Sequence, residues 1–222
     1  MSLFVVGTDT GIGKTVASAA LLARYRERLP LVYWKPVATG SRDERDRDTV
    51  AALVPGIPTA AEAYLFADPV SPHLASRRES LPIELGRIAT RWRELRSVFA
   101  GSGFVVEGAG GVLVPLDEEG ILLVDLVAAM ALPALVVARS TLGTINHTLL
   151  TLEALRTRAV EIAGVVLVGP RDRDNREAIE RFGETEVVGE LPPIPDLGAA
   201  TLAAAASELD PLSLLLPKLD HL

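Results

Sequence analysis

The 222-residue chain contains no cysteine, no long apolar segment and no cluster of basic residues. The absence of cysteine excludes a disulfide scaffold, thiolate metal ligands and thiol catalysis, and it fits a reducing compartment such as the cytoplasm. The longest unbroken apolar stretch covers residues 126–138, which is 13 residues, whereas a membrane-spanning helix needs about 20. The amino end has no basic segment leading into an apolar run, so we expect no signal peptide and no membrane partner.

Positive charge is also in short supply, because 29 acidic residues stand against 22 basic ones and the net charge is −7. A protein that binds nucleic-acid phosphates needs a positive face, so nucleic acid is not expected as a partner. Apolar residues make up 49% of the chain and charged residues 23%, which is typical of a globular protein. The length predicts one domain spanning residues 1–222.

Lysine is the scarcest charged residue: 19 of the basic residues are arginine, and lysine occurs only at positions 14, 35 and 218. Codon usage in a GC-rich genome explains such a skew by itself. A compact ammonium group suits a tight phosphate pocket differently from a planar guanidinium, so the remaining lysines become functional candidates. Lys218 lies near the carboxyl end and is discounted, which leaves Lys14 and Lys35.

Short apolar runs alternate with longer helical patterns along the chain. Strands are predicted at residues 3–6, 31–34, 104–106, 134–138, 162–168 and 186–188, and helices near residues 14–28, 49–53, 83–100, 121–131, 145–159, 174–182 and 198–207. The strand runs lack alternation of apolar and polar residues, as is typical of strands covered by helices on both faces. The pattern predicts an α/β fold with a doubly wound, mostly parallel sheet.

The strongest motif is GTDTGIGKT at residues 7–15, between the first predicted strand and the first predicted helix. Its glycines let the backbone curl so that successive N–H groups face a phosphate, and the following helix adds its positive dipole end. Lys14 would reach the β- and γ-phosphates, and the Thr15 hydroxyl would bind Mg²⁺. Thr8 stands where the usual G-x-x-x-x-G-K-[ST] pattern has its first glycine. The context nevertheless predicts a phosphate-binding loop of the P-loop NTPase type.

Charged residues follow two further predicted strands, and in a doubly wound sheet ligands gather beyond the carboxyl ends of the strands. Glu107 comes directly after strand 104–106 and could hold Mg²⁺, although EGAGG could equally form only a tight turn. Lys35 ends strand 31–34, and a lysine at the end of a buried strand must find an anion. Asp48, which opens the helical pattern 49–53, is the best second carboxylate; Asp43 and Asp46 are the alternatives.

Two other segments are distinctive. SPH at residues 71–73 follows an aromatic-rich stretch and could equally be a plain turn. LGTINH at residues 142–147 leads into a helix, so its exposed N–H groups could bind a carboxylate. From the residues alone we favour the simpler interpretation, in which Thr144 or Asn146 is an ordinary N-cap.

Taken together, GTDTGIGKT, KPVATGS, the helix at Asp48, SPH, VEGAGG and LGTINH occur in the order and approximate spacing of the dethiobiotin synthetase family, from residue 7 to about residue 193. The resemblance implies an ATP- and Mg²⁺-dependent cyclo-ligase. Such an enzyme joins CO₂ to 7,8-diaminononanoate, closes the ureido ring and releases ADP and phosphate. In the family one substrate amine captures CO₂ as a carbamate, the carbamate oxygen attacks the γ-phosphate, and the second amine displaces phosphate.

The resemblance also implies roles for individual residues. Lys35, Lys14 and Thr10 would be catalytic, and Thr15, Asp48 and Glu107 would hold Mg²⁺, while Thr39 would contact the amine or carbamate end of the substrate. The residues expected around the nucleotide are Thr10, Gly11, Ile12, Gly13, Lys14, Thr15, Val16, Asp48, Glu107, Gly108, Ala109, Gly110, Val168 and Pro192. The family's site lies at a homodimer interface. There the turn of the other subunit, formed by Gly143, Thr144, Ile145 and Asn146, would receive the distal carboxylate.

Two positions of this chain depart from the pattern of the family. Many relatives carry glutamate at the position of Gly11. Val168 stands at a position where relatives often have an asparagine that hydrogen-bonds to the edge of adenine.

Two other classes of protein are alternatives to this family. A partitioning-type P-loop ATPase acting as a dimer switch is the main alternative. Such ATPases usually carry a second lysine five positions before the loop lysine, where this chain has Asp9. A catalytically silent binding domain would not need the full set of charged residues described above.

Val168 predicts loose selectivity among nucleoside triphosphates, so that triphosphates other than ATP are accepted. A site that pairs with the polar edge of a base discriminates far better than one that offers only apolar contact, and we therefore expect CTP and GTP to support turnover within about a hundredfold of ATP. Phosphate release with each nucleotide is the measurement. Turnover at least about a hundredfold poorer with CTP or GTP would contradict this prediction.

Overall fold

The computed structural model describes residues 2–41, 45–210 and 213–219. In chain order the strands are β1 (Ser2–Gly7), β2 (Leu31–Trp34), β3 (Val37–Ala38), β4 (Thr59–Ala60), β5 (Tyr64–Leu65), β6 (Gly103–Gly111), β7 (Ala134–Arg139), β8 (Ile162–Val168) and β9 (Val187–Leu191). The helices are α1 (Lys14–Tyr25), α2 (Asp46–Leu53), α3 (Pro72–Glu79), α4 (Leu85–Val98), α5 (Leu123–Met130), α6 (Thr144–Thr157), α7 (Arg173–Gly183), α8 (Ala199–Ala206) and α9 (Leu216–Leu219).

Seven strands form one parallel sheet in the order β4-β2-β6-β1-β7-β8-β9, and β3 pairs with β5 in a small second sheet. Helices α1, α2 and α8 bury their apolar residues on one face of the large sheet. Helices α3 to α7 do so on the other face. The prediction of a doubly wound α/β fold is confirmed. Among the described residues, no helix is both long enough and apolar enough to cross a membrane.

The strand that carries Glu107 is longer than predicted, because β6 continues to Gly111 and pairs with β1 as far as Gly7. Glu107 therefore lies inside a strand and does not follow one, and the tight-turn alternative for EGAGG is wrong. The glycines serve close packing. A Cβ on Gly108 would lie 2.9 Å from the Leu123 side chain and 3.2 Å from the Phe4 ring.

Three helix starts also differ from the expectations. Helix α2 begins at Asp46, two residues before Asp48. The SPH segment forms the start of α3, with Pro72 in the first turn, so it is not a plain turn. Gly143, at φ 93°, is the N-cap of α6. The interpretation of Thr144 or Asn146 as the N-cap is therefore wrong, because both lie within the helix.

Helix α1, which follows the phosphate loop, is fixed at its far end by a buried carboxylate. Tyr25 donates its hydroxyl hydrogen to Asp210, and both residues are fully buried. Asp210 also accepts hydrogen bonds from the backbone N–H groups of Leu214 and Leu215, at 2.7 and 2.8 Å. The carboxyl-terminal segment is thereby tied to the helix that begins at the phosphate loop.

Candidate functional site

A cavity of about 650 Å³ opens at the carboxyl ends of the central strands. Its walls come from the phosphate loop, the segments after β2, the start of α2, the second half of β6 and the start of α3. Of the residues predicted to form the site, the cavity is lined by Thr10, Gly11, Gly13, Lys14, Thr15, Val16, Lys35, Thr39, Glu107, Ala109 and Gly110. The large majority of the predicted phosphate and metal residues thus meet in one place.

The phosphate loop connects β1 to α1. Gly11 and Gly13 have φ values of 69° and 95°, in the left-handed region that favours glycine. Gly13 is the N-cap of α1 and no side chain caps the helix, so the backbone N–H groups of the first turn remain available to an anion. The Lys14 ammonium donates to the Asp9 carbonyl at 2.9 Å, which folds the lysine back over the loop.

Glu107 is the centre of the polar network, and its side chain is fully buried. Its Oε1 accepts a hydrogen bond from the Lys35 ammonium at 3.1 Å and lies 3.0 Å from the Thr15 hydroxyl oxygen. Its Oε2 accepts from the hydroxyls of Ser18 and Tyr33, each at 3.0 Å. A buried carboxylate is costly unless it is paired and hydrogen-bonded, and here Oε1 is paired with the Lys35 ammonium while Oε2 has two hydroxyl donors.

Asp46 completes this network at the start of α2. The Lys35 ammonium contacts Asp46 Oδ2 at 2.6 Å, and the Thr15 hydroxyl donates to Asp46 Oδ1 at 2.7 Å. Lys35 thus bridges two carboxylates, Asp46 and Glu107. Thr15 contacts the same two carboxylates, at Oδ1 of Asp46 and Oε1 of Glu107.

The two lysines of the cavity differ in pKa. Burial lowers the pKa of Lys14 to about 8, against an opposing contribution from Glu107, so its charge is lost as pH rises through that value. Burial would also lower the pKa of Lys35, but the adjacent carboxylates of Glu107 and Asp46 outweigh it and raise the pKa above its ordinary value. Burial by itself would raise the pKa of Asp46. The contacts with Lys35 and with the Thr15 hydroxyl outweigh this effect, so the pKa lies below its ordinary value.

The geometry favours Asp46, and not Asp48, as the second carboxylate of the site. The Asp48 side chain is 64% exposed and its nearest ionic partner is Arg47, at 3.6 Å. Because α2 starts at Asp46, that residue points into the cavity, while Asp48 lies about 200° further around the helix axis. Asp43, the other alternative, lies outside the described residues.

The oxygen atoms around Thr15 suit a hard cation. Asp46 Oδ1 and Glu107 Oε1 lie within 2.7 and 3.0 Å of the Thr15 hydroxyl, so three oxygen ligands converge there. No group of three or more His, Asp or Glu side chains that could hold a metal by itself occurs among the described residues. Mg²⁺ in nucleotide sites needs less than that, because one or two carboxylates, the phosphates and water complete its shell.

Several predicted residues lie beside the cavity and do not line it. Val168, at the end of β8, packs against the loop, since a Cβ on Gly13 would lie 3.1 Å from its Cγ1. Pro192 directly follows β9. Ile12 is buried behind the loop and Gly108 is inside β6.

The turn at the start of α6 is separate from the large cavity. Gly143, Thr144, Ile145 and Asn146 follow β7 on the other side of the phosphate loop. Thr144 is buried, whereas Asn146 is exposed. A second cavity of about 290 Å³ lies between this helix and the loop, lined by Thr8, Asp9 and Thr10 on one side and by His147, Leu150 and Thr151 on the other.

Three contacts at the site were missed by sequence reasoning. Ser18 and Tyr33 hold Glu107, as described above. Arg139 forms an ion pair with Asp9 of the phosphate loop at 3.0 Å. Tyr33 could have been found, because it precedes Lys35 by two residues and strand alternation, continued one residue beyond β2, places both on one face of the sheet. The contact between Arg139 and Asp9 depends on the order of the strands in the sheet, so no local sequence pattern indicates it.

Comparison with known proteins gives a consistent result. The family model described as AAA domain matches residues 1–201. The ATP-dependent dethiobiotin synthetase BioD of Paramagnetospirillum magneticum is 45% identical over 201 residues, covering 90% of this chain and 92% of the relative. The enzyme of the same name from Agrobacterium fabrum is 43% identical over 213 residues, covering 94% of each.

Solved structures with a similar fold are more distant in sequence. A ParA family ATPase from Chlorobium tepidum has a TM-score of 0.56 at 13% identity, covering 98% of this chain and 93% of its own. The MinC:MinD cell division protein complex of Aquifex aeolicus contains a chain with a TM-score of 0.61 at 10% identity, with coverage of 100% and 97%. At these identities the similarity concerns the fold alone.

Asp46 and Asp48 form a matched pair for testing the metal site, because they lie two residues apart on one helix. We expect Asp46→Asn to raise the Mg²⁺ concentration for half-maximal ATP turnover by about tenfold or more, because it removes the negative charge of the carboxylate that contacts Thr15. Asp48→Asn should leave the Mg²⁺ titration unchanged. A raised requirement in Asp48→Asn alone would contradict the assignment.

Proposed function

The chain belongs to the family of ATP-dependent dethiobiotin synthetases, and from this membership we propose how its cavity carries out the reaction. It is an ATP-dependent cyclo-ligase of biotin biosynthesis. The proposed substrates are 7,8-diaminononanoate and CO₂, which are joined to give dethiobiotin while ATP is split to ADP and phosphate. The observation that carries the proposal is the convergence of Lys14, Lys35, Asp46 and Glu107 on one cavity beside a phosphate loop.

The phosphates of ATP would bind along the loop. Backbone N–H groups from Gly11 to Val16 and the positive end of the α1 dipole would hold them, with Lys14 against the β- and γ-phosphates. Ala109 and Gly110 line the facing wall and have little or no side chain, so a phosphate could approach the backbone closely.

The substrate would lie on the opposite wall, with its diamine end near Lys35 and Thr39. An uncharged amine attacks CO₂ and loses a proton, which gives a carbamate anion. The carbamate oxygen then attacks the γ-phosphorus and ADP leaves. The second amine attacks the resulting carbonyl carbon and loses a proton to solvent, which closes the ring and expels phosphate. Lys35, Lys14 and Thr10 would stabilise the carbamate and the transferring phosphoryl group, so catalysis rests on positioning and charge neutralisation.

We propose Mg²⁺ as the resident cation, held by Thr15, Asp46 and Glu107 together with the nucleotide phosphates. The convergence of three oxygen ligands described above supports this donor set. When bound, Mg²⁺ would supply neutralisation of phosphate charge. Asp46 replaces Asp48 in this proposal, since Asp48 points to solvent.

The nucleobase would extend past the loop toward Val168 and Pro192. Both side chains offer apolar contact only, which supports acceptance of triphosphates other than ATP. Gly11 has nothing within 4 Å of the position where its Cβ would lie. The space that a glutamate would fill in relatives is therefore left open to the ligands.

We further propose a homodimer in which Gly143, Thr144, Ile145 and Asn146 of the second subunit bind the distal carboxylate of the substrate. Exposed leucines support such an interface: Leu142 is 99% exposed, and Leu113 and Leu150 are each 55% exposed. The last two border the second cavity, next to the phosphate loop. Family membership also favours a cytoplasmic location, with neither nucleic acid nor membrane as partner.

The alternative of a partitioning-type ATPase has less support. Its structural relatives share only 10–13% identity with this chain, whereas the dethiobiotin synthetases share 42–45%. At the position of the second lysine typical of those ATPases, this chain has Asp9. Asp9 is paired with Arg139, which gives it a structural role inside the loop.

Phosphate release measured with and without the other substrates separates the two functions. A cyclo-ligase should be nearly idle unless both 7,8-diaminononanoate and bicarbonate are present, because the phosphoryl acceptor is the carbamate. Steady ATP hydrolysis in the absence of both would contradict the proposed reaction.

The same assay tests Lys35, with Lys218 as a matched control. Lys35→Ala should lower turnover severely, by about a hundredfold or more, while nucleotide binding and the fold largely survive. Lys218, which pairs with Glu161 near the carboxyl end, should tolerate the same change. Full activity in Lys35→Ala would contradict its role.

A further inference from the structure

The two oxygens of Glu107 have different surroundings. Oε1 contacts Thr15 and Lys35, which both line the cavity. Oε2 contacts Ser18 and Tyr33, and these two residues are fully buried, as is Glu107 itself. One oxygen therefore lies on the side of the cavity and the other faces the interior.

The register of the sheet explains why Tyr33 reaches Glu107. Strand β2 pairs in parallel with β6, with Tyr33 opposite Val105, and both side chains belong to the apolar layer under α1. Glu107 follows Val105 by two residues, so it lies on the same face. The Tyr33 side chain thus reaches across to β6 and contacts the residue that lies two positions after its pairing partner, Val105.

Ser18 reaches the same oxygen from the helix. It lies one turn after Lys14 on α1, on the side that packs against the sheet. Its hydroxyl and that of Tyr33 approach Oε2 from two different elements, each at 3.0 Å. A carboxylate held in this way has little freedom to rotate about its last bond.

We propose that Tyr33 is a positioning residue for the divalent cation: together with Ser18 it fixes Oε2 of Glu107, so that Oε1 is presented to the cation position. This inference rests on the proposed function, in which Glu107 is a ligand. Hydrogen-bond partners behind a metal ligand orient it, and their loss typically lowers metal affinity by about 10–100-fold. Tyr33 does not line the cavity and would act only through Glu107.

The test compares Tyr33→Phe with Tyr25→Phe. Each change removes one buried hydroxyl that donates to a buried carboxylate, Glu107 in one case and Asp210 in the other. The dissociation constant of Mn²⁺ is measured by electron paramagnetic resonance in the presence of a non-hydrolysable ATP analogue. We expect about a tenfold weaker Mn²⁺ affinity in Tyr33→Phe and an unchanged affinity in Tyr25→Phe, which should lose only thermal stability.

If Tyr33→Phe folds and its Mn²⁺ affinity is within about twofold of wild type, the positioning role is overturned. The proposed function would then remain intact. Equal losses in both tyrosine variants would also overturn it, because the effect would then be general destabilisation. If Tyr33→Phe fails to fold, Ser18→Ala is measured instead, because it removes the other donor to Oε2. An unchanged Mn²⁺ affinity in Ser18→Ala would overturn the proposal that these two hydroxyls position Glu107. A wild-type protein that binds no Mn²⁺ with the analogue overturns both this inference and the metal site.

Discussion

The arrangement of the site depends on a fully buried carboxylate, that of Glu107. An ionised carboxylate without water is stable only if its neighbours supply the lost hydration, and here Ser18, Tyr33 and Lys35 do so. These donors come from α1, from β2 and from the residue directly after β2. The need to satisfy one side chain therefore ties the phosphate-loop helix to the neighbouring strand and brings Lys35 into the cavity.

The balance of charge in the cavity follows from the same contacts. The two ammonium groups of Lys14 and Lys35 formally offset the two carboxylates of Asp46 and Glu107. Lys35 contacts both carboxylates and its pKa is raised, whereas burial lowers the pKa of Lys14 to about 8. A triphosphate brings several negative charges into this neutral cluster. The dipole of α1, the loop N–H groups and a divalent cation are then the means of compensating them.

The sequence predicted the parts of this site that depend on local patterns. The phosphate loop and Lys35 were identified because each follows a recognisable strand, and the fold class followed from unbroken apolar runs. The sequence favours Asp48 over Asp46 because its helical pattern predicts a start of α2 that is two residues too late, and two residues turn a side chain to the opposite side of a helix. The sequence leaves a turn open for EGAGG, since the packing of Gly108 against Leu123 and Phe4 involves distant parts of the chain. The contact of Tyr33 with Glu107 likewise depends on the register between β2 and β6.

The most direct measurement of the central claim is a pH titration of the lysine side chains by nuclear magnetic resonance. The chain has only three lysines, so Lys14 and Lys35 can be assigned by single substitution. In the nucleotide-free protein, Lys14 should titrate near pH 8 and Lys35 above its ordinary value of 10.5. If both lysines titrated together at the ordinary value, they would be solvated side chains, and the coupled charge cluster around Glu107 would not exist.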